Sequence, residues 1–272
     1  MDAFRIVIPT HRRVNKQITL RSIPEEIRDD VLLVVSDTSE LKELSKLYPN
    51  NEIVKAKAPN ISKKRHWIMK NVPAEKIFML DDDMYFFGRC PGTHRRLVKG
   101  RWKLIPGKGS EKLLSVKYAK SAALIRMFEL ISERLDHLAH AGLSSRRGND
   151  CVPESWAANH RMMHAIGYRK DVYLEHKLNF GQVQCREDFN ITLHLLKRGY
   201  MNHVYFDMCC SPGSYNAPGG ASVERTVAIS NSEAHKLANI HPGFVNVVRK
   251  NYDNVPREEV IIYWKKAYAS AK

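Results

Sequence analysis

The sequence predicts an α/β chain in which a central, mostly parallel sheet is flanked by helices. Three observations predict it. Short β-branched or apolar runs recur at Phe4–Ile8, Val31–Val35 and Ile77–Leu80, as expected of strands covered on both faces. Helical patterns lie between them, the alternation that builds parallel sheets through crossovers. The third run leads straight into Asp81-Asp82-Asp83, at the strand end where α/β ligands bind.

Each element follows in order. F-R-I-V-I is stopped by Pro9 and reads as a first buried strand. Asn15–Asp30 contains a helix, and V-L-L-V-V is the next strand. Leu41, Leu44 and Leu47 share one side of a helix that ends near Pro49. Ile53-Val54 suggests a short strand, Ile61–Asn71 a helix and Ile77–Leu80 a strand. Gly88–Lys112 breaks the rhythm with many Lys and Arg against the single acid Glu111, and reads as a surface insertion. A long helix is expected over Lys112–His140, with Leu124, Phe128, Ile131, Leu135 and Leu138 at helical spacing. Ala141–Ser145 is strand-like and leads to a polar turn at Arg146–Asp150. Asp188–Arg198 is a helix capped by Gly199. Val204–Phe206 is a strand, Cys210–Ser222 a long loop and Ile261–Ala271 a closing helix. With no repeat and no linker, one domain over 1–272 is expected.

A chain of 272 residues with 43% hydrophobic content can build a sizeable core. Its 44 Lys+Arg against 29 Asp+Glu leave a net charge of +15, which points to a polyanionic partner. Cys90, Cys151, Cys185, Cys209 and Cys210 are odd in number and lack a C-x-x-C pair. They fit neither a disulfide framework nor a zinc ribbon, so a reducing cytoplasm is expected. No apolar run approaches a membrane span, and no membrane partner is expected.

Two constellations carry chemistry. Three adjacent carboxylates raise one another's pKa unless a cation neutralises them, and hard oxygen ligands suit Mg²⁺ or Mn²⁺ bound to substrate phosphates. Glu187-Asp188 opens a helix, where acids complement the positive end. On spacing alone Asp188 reads equally as a helix cap or as a general base.

Several pieces together resemble a GT-A glycosyltransferase, a Rossmann-like fold. They are F-R-I-V-I-P-T, V-V-S-D around Asp37, I-S-K-K-R at Ile61–Arg65, L-D-D-D, and C-R-E-D-F-N-I-T-L-H-L-L-K-R-G-Y. Their order spans about Phe4 to Tyr200. Within that superfamily the chain is similar to the TET-associated glycosyltransferases of bacteriophages, in which G-L-S-S-R-R-G-N and N-A-P-G-G-A-S-V-E-R-T also have counterparts. The resemblance implies a donor site for a nucleotide sugar, a UDP-sugar by preference. Pro9 and Thr10 would line it, Asp37 would meet uracil or ribose, and Lys64 and Arg65 the base or diphosphate. Asp81 would serve ribose and metal, and Asp83 would be the main metal ligand. Gly219, Gly220 and Arg225 would lie in a closing loop, and Asp188, with Glu187 beside it, would be the base. A third metal ligand is expected among His203, Asp207, His235 and His241. The three parts of the domain would be a nucleotide-sugar half (1–87), a basic insertion (88–112) and an acceptor-binding, closing half (113–272).

The implied acceptor is double-stranded phage DNA carrying hydroxymethylated bases such as 5-hydroxymethylcytosine, met in the host cytoplasm. The basic charge fits it independently, since Lys and Arg contacts to phosphate dominate DNA affinity. Arg95, Arg96, Lys99, Arg101 and Lys103 around Trp102 form the expected patch, and Arg146, Arg147 and Asn149 would approach the acceptor nucleotide. Two rivals are weighed. A sugar-phosphate nucleotidyltransferase would need a Gly-rich loop, which Pro9–Arg13 lacks. A non-catalytic DNA-binding module on a decayed scaffold would have no reason to keep both acidic clusters.

Overall fold

The computed structural model describes residues 2–89, 94–98, 101–105, 116–146, 149, 152, 154–212, 226–252 and 255–271. The first part alternates as β1 (Asp2–Pro9), α1 (Ile18–Ser22), α2 (Glu25–Arg28), β2 (Leu32–Val35), α3 (Thr38–Leu47), β3 (Ile53–Lys55), α4 (Ile61–Asn71) and β4 (Ala74–Leu80). Next come β5 (Met84–Arg89), β6 (His94–Val98), β7 (Arg101–Ile105), β8 (Val116–Tyr118), α5 (Ser121–Leu135), β9 (His140–Ser145), β10 (Trp156–Ala158) and β11 (Ala165–Arg169). The chain closes with α6 (Lys170–Glu175), α7 (Glu187–Leu196), β12 (Asn202–Pro212), α8 (Val227–Ile240), β13 (Val245–Tyr252), β14 (Val255–Ile262) and α9 (Trp264–Ala269).

The main sheet runs β3-β2-β1-β4-β11-β9-β12-β5-β8, with β10 paired to β12. β1 to β4, β9 and β12 point one way, and β11, β5 and β10 run against them. This is the mixed, mostly parallel α/β sheet that the apolar runs predict. Alternation explains why those runs are continuous. Val7, Leu32, Val34, Ile77 and Met79 enter one core layer, while Ile8, Leu33, Val35, Phe78 and Leu80 enter the other. A third cluster lies under α7, α8 and α9. Among the described residues, no helix is long and apolar enough to cross a membrane.

Several expected elements change. The helix within Asn15–Asp30 is split by Pro24, which has no N–H to continue α1 and instead caps α2. The expected helix over Lys112–His140 is confined to α5, because Val116–Tyr118 is an edge strand on β5. The basic insertion begins as β5, inside the main sheet, and continues as the separate β6–β7 hairpin. The expected loop Cys210–Ser222 starts as strand, since β12 runs to Pro212; residues 213–225 lie outside the described residues. The closing helix is shorter than Ile261–Ala271, because Ile261 and Ile262 pair with Asn246 and Val245 in β13–β14. The helix predicted from Asp188 spans Glu187–Leu196, and Gly199 beyond it takes φ +83°, as a stop glycine should.

His140, His203 and His241 are buried, and burial above all pushes their imidazoles from 6.5 down to about 4, about 4 and about 3. The unfolded chain binds protons on these rings once pH falls below 6.5, whereas the folded chain waits until about 4 or lower. Stability is therefore full above 6.5 and declines as pH falls through that window. Asp82, raised to about 6 by burial, and Asp83, also raised, work in the opposite direction, but burial lowers His66, His160 and His194 as well, so two groups stand against six. Thermal melts should show Tm falling from pH 6.5 to pH 5; a constant or rising Tm would contradict neutral buried rings.

Candidate active site

The carboxyl edge of the parallel strands gathers the acidic clusters. β4 ends into Asp81, Asp82 and Asp83, and β1, its neighbour, ends at Pro9 and Thr10. α4 starts on an Asn60 cap whose side chain accepts from Lys63 N at 3.0 Å. That start buries Lys64 and Arg65 against the same edge. α7 brings Glu187 and Asp188 in its first turn, at the positive helix end.

Arg65 joins these pieces. Its side chain is 3% exposed and bonds Asp81 Oδ1 at 2.5 Å and Glu187 Oε1 at 2.7 Å. Burial alone would lower its pKa, but Asp81, Glu187 and Asp188 hold it above the ordinary guanidinium value. Asp81 is in turn kept well below the carboxylate range: burial opposes this, and Arg65 and His164 outweigh it. His164 Nδ1 lies 2.7 Å from Asp81 Oδ2, and Asp81 N donates to His164 O at 2.9 Å. His164 holds φ +68° directly before β11, a conformation L side chains resist.

A second tie sits beside the first. Arg13 bonds Asp82 at 2.5 Å and Asp83 at 2.8 Å. Thr10 Oγ1 donates to Asp82 at 2.8 Å while accepting from Gln17 Nε2 at 2.8 Å. Lys64 Nζ donates to Thr10 O at 2.5 Å. Asp83 is raised by burial and by Asp81, against Arg13. Among the described residues at this edge, the carboxylates of Asp81, Asp82, Asp83, Glu187 and Asp188 outnumber the cations Arg13, Lys64 and Arg65. Asp188 is buried, and its Oδ1 accepts from Phe189 N at 2.9 Å. The N-cap position belongs to Arg186.

The remaining expected site residues fall as follows. Asp37, exposed at the end of β2, caps α3 by accepting from Ser39 N at 2.6 Å. The shortlist for a third ligand is corrected, because none of its members meets Asp81 or Asp83. His203 packs edge-on against Trp156 at 3.8 Å, Asp207 lies 3.5 Å from Arg89, His235 pairs with Glu258, and His241 bonds Asn190. The histidine at Asp81 is His164, which lacked any local pattern; the positive φ and the contact appear only in three dimensions. Arg13 was missed for the same reason. Among the described residues, no three His, Cys, Asp or Glu side chains form a metal-holding group. Arg146 stacks over Phe87 at 4.5 Å. Asn149 is corrected as an acceptor contact: it is buried, and its amide bonds Ser144 Oγ, Phe206 O and Arg89. Arg95, Arg96, Arg101 and Lys103 lie on the β6–β7 hairpin, in which Arg96 is paired with Lys103 and Arg95 with Leu104. Lys99, Arg147, Gly219, Gly220 and Arg225 lie outside the described residues.

Removing the central guanidinium should expose what it neutralises. Arg65→Met is expected to cost roughly 3 kcal/mol in urea denaturation, because it strands the buried Glu187 and takes one partner from the partly buried Asp81. A loss below about 1 kcal/mol, the range of a surface pair, would show that the triad is not a buried one.

The sequence matches the family described as TET-Associated Glycosyltransferase over residues 4–215. No curated protein matches it. Among solved structures it is similar to Staphylococcus aureus TarS 1–349 in complex with UDP-GlcNAc, at 13% identity and a TM-score of 0.52, covering 88% of this chain and 67% of that one. It is also similar to glucosyl-3-phosphoglycerate synthase from Mycobacterium tuberculosis in complex with phosphoglyceric acid, at 10% identity and a TM-score of 0.50, covering 94% and 89%. At such identities these likenesses show the fold alone, and that fold is GT-A. With more than half of its length matched by the family, this chain belongs to the TET-associated glycosyltransferases and is a glycosyltransferase on a GT-A scaffold.

Proposed function

We propose that the enzyme moves a sugar from a nucleotide sugar, a UDP-sugar, to the hydroxymethyl oxygen of a modified base in double-stranded phage DNA. The observation that carries this reading is the meeting of Asp81 and Glu187 on one buried guanidinium, with Asp188 in the same helical turn. In this reading the diphosphate of the donor and the proton acceptor meet at that sheet edge. The UDP-GlcNAc bound to TarS, which shares the fold, supports the donor class. In this reading residues 1–87 form the donor half, 88–112 the basic insertion and 113–272 the acceptor half of one domain.

The chemistry is a single displacement. Asp188 accepts the proton of the 5-hydroxymethyl group as that oxygen bonds to the anomeric carbon. The bond from that carbon to the diphosphate oxygen breaks, so the anomeric centre inverts. Thr10 and Pro9 line the nucleotide side, and Asp37 faces it from the neighbouring strand end. Lys64 and Arg65 serve by fixing Thr10 and the acids, since their bonds are made within the protein. Asp81 and Asp83 suit a divalent cation: they are oxygen donors on an edge where the described carboxylates outnumber the cations. With no third protein ligand in the described residues, such a cation would complete its shell with water and phosphate oxygens, as Mg²⁺ and Mn²⁺ do. When bound, it supplies Lewis-acid charge for the departing diphosphate.

The direct test is mass spectrometry of nucleosides from hydroxymethylated DNA after incubation with metal and a panel of nucleotide sugars; no mass gain with any donor overturns the acceptor. In the same assay Asp188→Asn should lower kcat by roughly 10² or more while leaving UDP binding intact. Asn keeps the oxygen that accepts from Phe189 N, so turnover at the wild-type rate would remove the base assignment.

The basic hairpin gives a separate test. A two-stranded ribbon is a shape the DNA major groove admits, and β6–β7 is such a ribbon with basic residues on both strands. Changing Arg95, Arg96, Arg101 and Lys103 to Glu should raise KM for long DNA strongly, flatten the salt dependence of binding and spare UDP binding. DNA affinity that ignores both the substitutions and salt would exclude this surface.

A further inference from the structure

We infer that Arg186 is a positioning residue for the general base, and that it acts by latching the start of α7 to the chain beyond residue 226. The inference rests on the reading of Asp188 as that base. The segment involved, α8 through α9, lies past the 4–215 span that defines the family match, so family membership alone does not assign it a part in the reaction.

Arg186 stands immediately before Glu187 and Asp188, with φ +63° and ψ +29°. Glycine adopts that backbone freely, whereas an arginine there is strained. Its carbonyl accepts the first helical bond of α7, from Asn190 N at 3.0 Å. The side chain is 12% exposed and reaches two other elements. It donates to Ser230 O of α8 at 2.9 Å and to Glu258 O of β14 at 3.2 Å, and it lies 3.5 Å from the Glu259 carboxylate. A second tie sits two residues earlier, where Gln184 N donates to Glu233 Oε2 of α8 at 2.5 Å. Beneath both ties, Phe189, Leu193 and Leu196 of α7 share a core cluster with Leu237, Val245 and Ala267.

A local account of this arginine fails on its own terms. For a helix start with a left-handed residue, glycine is the better choice, and an arginine guanidinium contributes nothing to capping α7 itself. What the side chain supplies is attachment. Asp188 is two residues away, so a small rotation at Arg186 swings its carboxylate relative to Asp81 and Arg65. Misplacing a reacting group by about 1 Å can cost on the order of 10² in rate. The latch fixes that rotation from outside the sheet. α8 and the β13–β14 hairpin therefore belong to the catalytic apparatus without touching substrate.

The test compares Arg186→Gly, Asp188→Asn and the double variant, in the full chain, with the donor and hydroxymethylated duplex that give turnover. Glycine relieves the backbone strain, so the melting temperature should stay near wild type. Arg186→Gly should lower kcat about tenfold or more and leave KM for the nucleotide sugar unchanged. Added to Asp188→Asn it should cost nothing further, because the group it positions is already gone. A wild-type kcat for Arg186→Gly overturns the inference. So does an equal loss in both backgrounds, which would mean that the latch acts elsewhere. Asp188→Asn at the wild-type rate instead overturns the base assignment, and the inference with it, so the single variant tells the two failures apart. Should Arg186→Gly not fold, Glu233→Ala removes the neighbouring tie, keeps every residue of the sheet edge and carries the same expectation.

Discussion

A guanidinium sealed between two carboxylates sets the geometry of this enzyme. Arg65 comes from α4, Asp81 from the end of β4 and Glu187 from the start of α7. Taking Arg65 and Glu187 out of water, and Asp81 part of the way, is costly, and such groups add little net stability over an apolar packing. Their value lies in direction: a planar fork with two fixed bonds sets how far a helix start stands from a strand end. Everything else at the edge is arranged around that separation. His164 holds the other oxygen of Asp81, and Arg13 holds the next two acids.

The charge distribution runs in two senses. The chain as a whole is strongly basic, yet the described residues of its sheet edge hold more acids than cations. Salt screens the exposed basic charges far more than it screens these buried acids.

Much of this was legible in the chain, and the reasons are physical. Runs such as V-L-L-V-V are readable because both faces of β2 are covered, so no polar residue interrupts them. Asp81-Asp82-Asp83 is readable as an edge cluster because an apolar strand runs straight into it, while the arginines that pair with it are not marked in the sequence. By contrast, His164 and Arg13 act through partners 83 and 69 positions away, and nothing in their neighbours marks them. The overlong helix ending at His140 came from a periodicity that continues past the last helical turn: Leu138 keeps the spacing although α5 stops at Leu135. Ile261-Ile262 was misassigned because a short apolar run has no period of its own, and only the pairing with β13 decides it. The late histidines have partners away from Asp81 and Asp83, because a histidine is as useful in packing as in coordination, as His241 on Asn190 shows.

One strand direction has a consequence for how the edge histidine is held. β11 runs against both of its neighbours, so its beginning, and not its end, stands beside Asp81. The residues leading into it, from Asn159 to His164, start and finish in left-handed backbone. Asn202 pins their near end, accepting from His160 N at 2.9 Å and donating to His160 O at 2.7 Å. The segment is thus a short bracket hung between two fixed points, with a reacting-edge histidine at its tip. Its interior is anchored as well: Met162 is fully buried in the core and Arg161 lies 5.0 Å over the Phe189 ring. Unlike Arg65, Glu187 and Asp188, which are carried by helices, His164 reaches the edge on a connection between strands, so its setting against Asp81 depends on how well Met162 is seated in the core two residues before it.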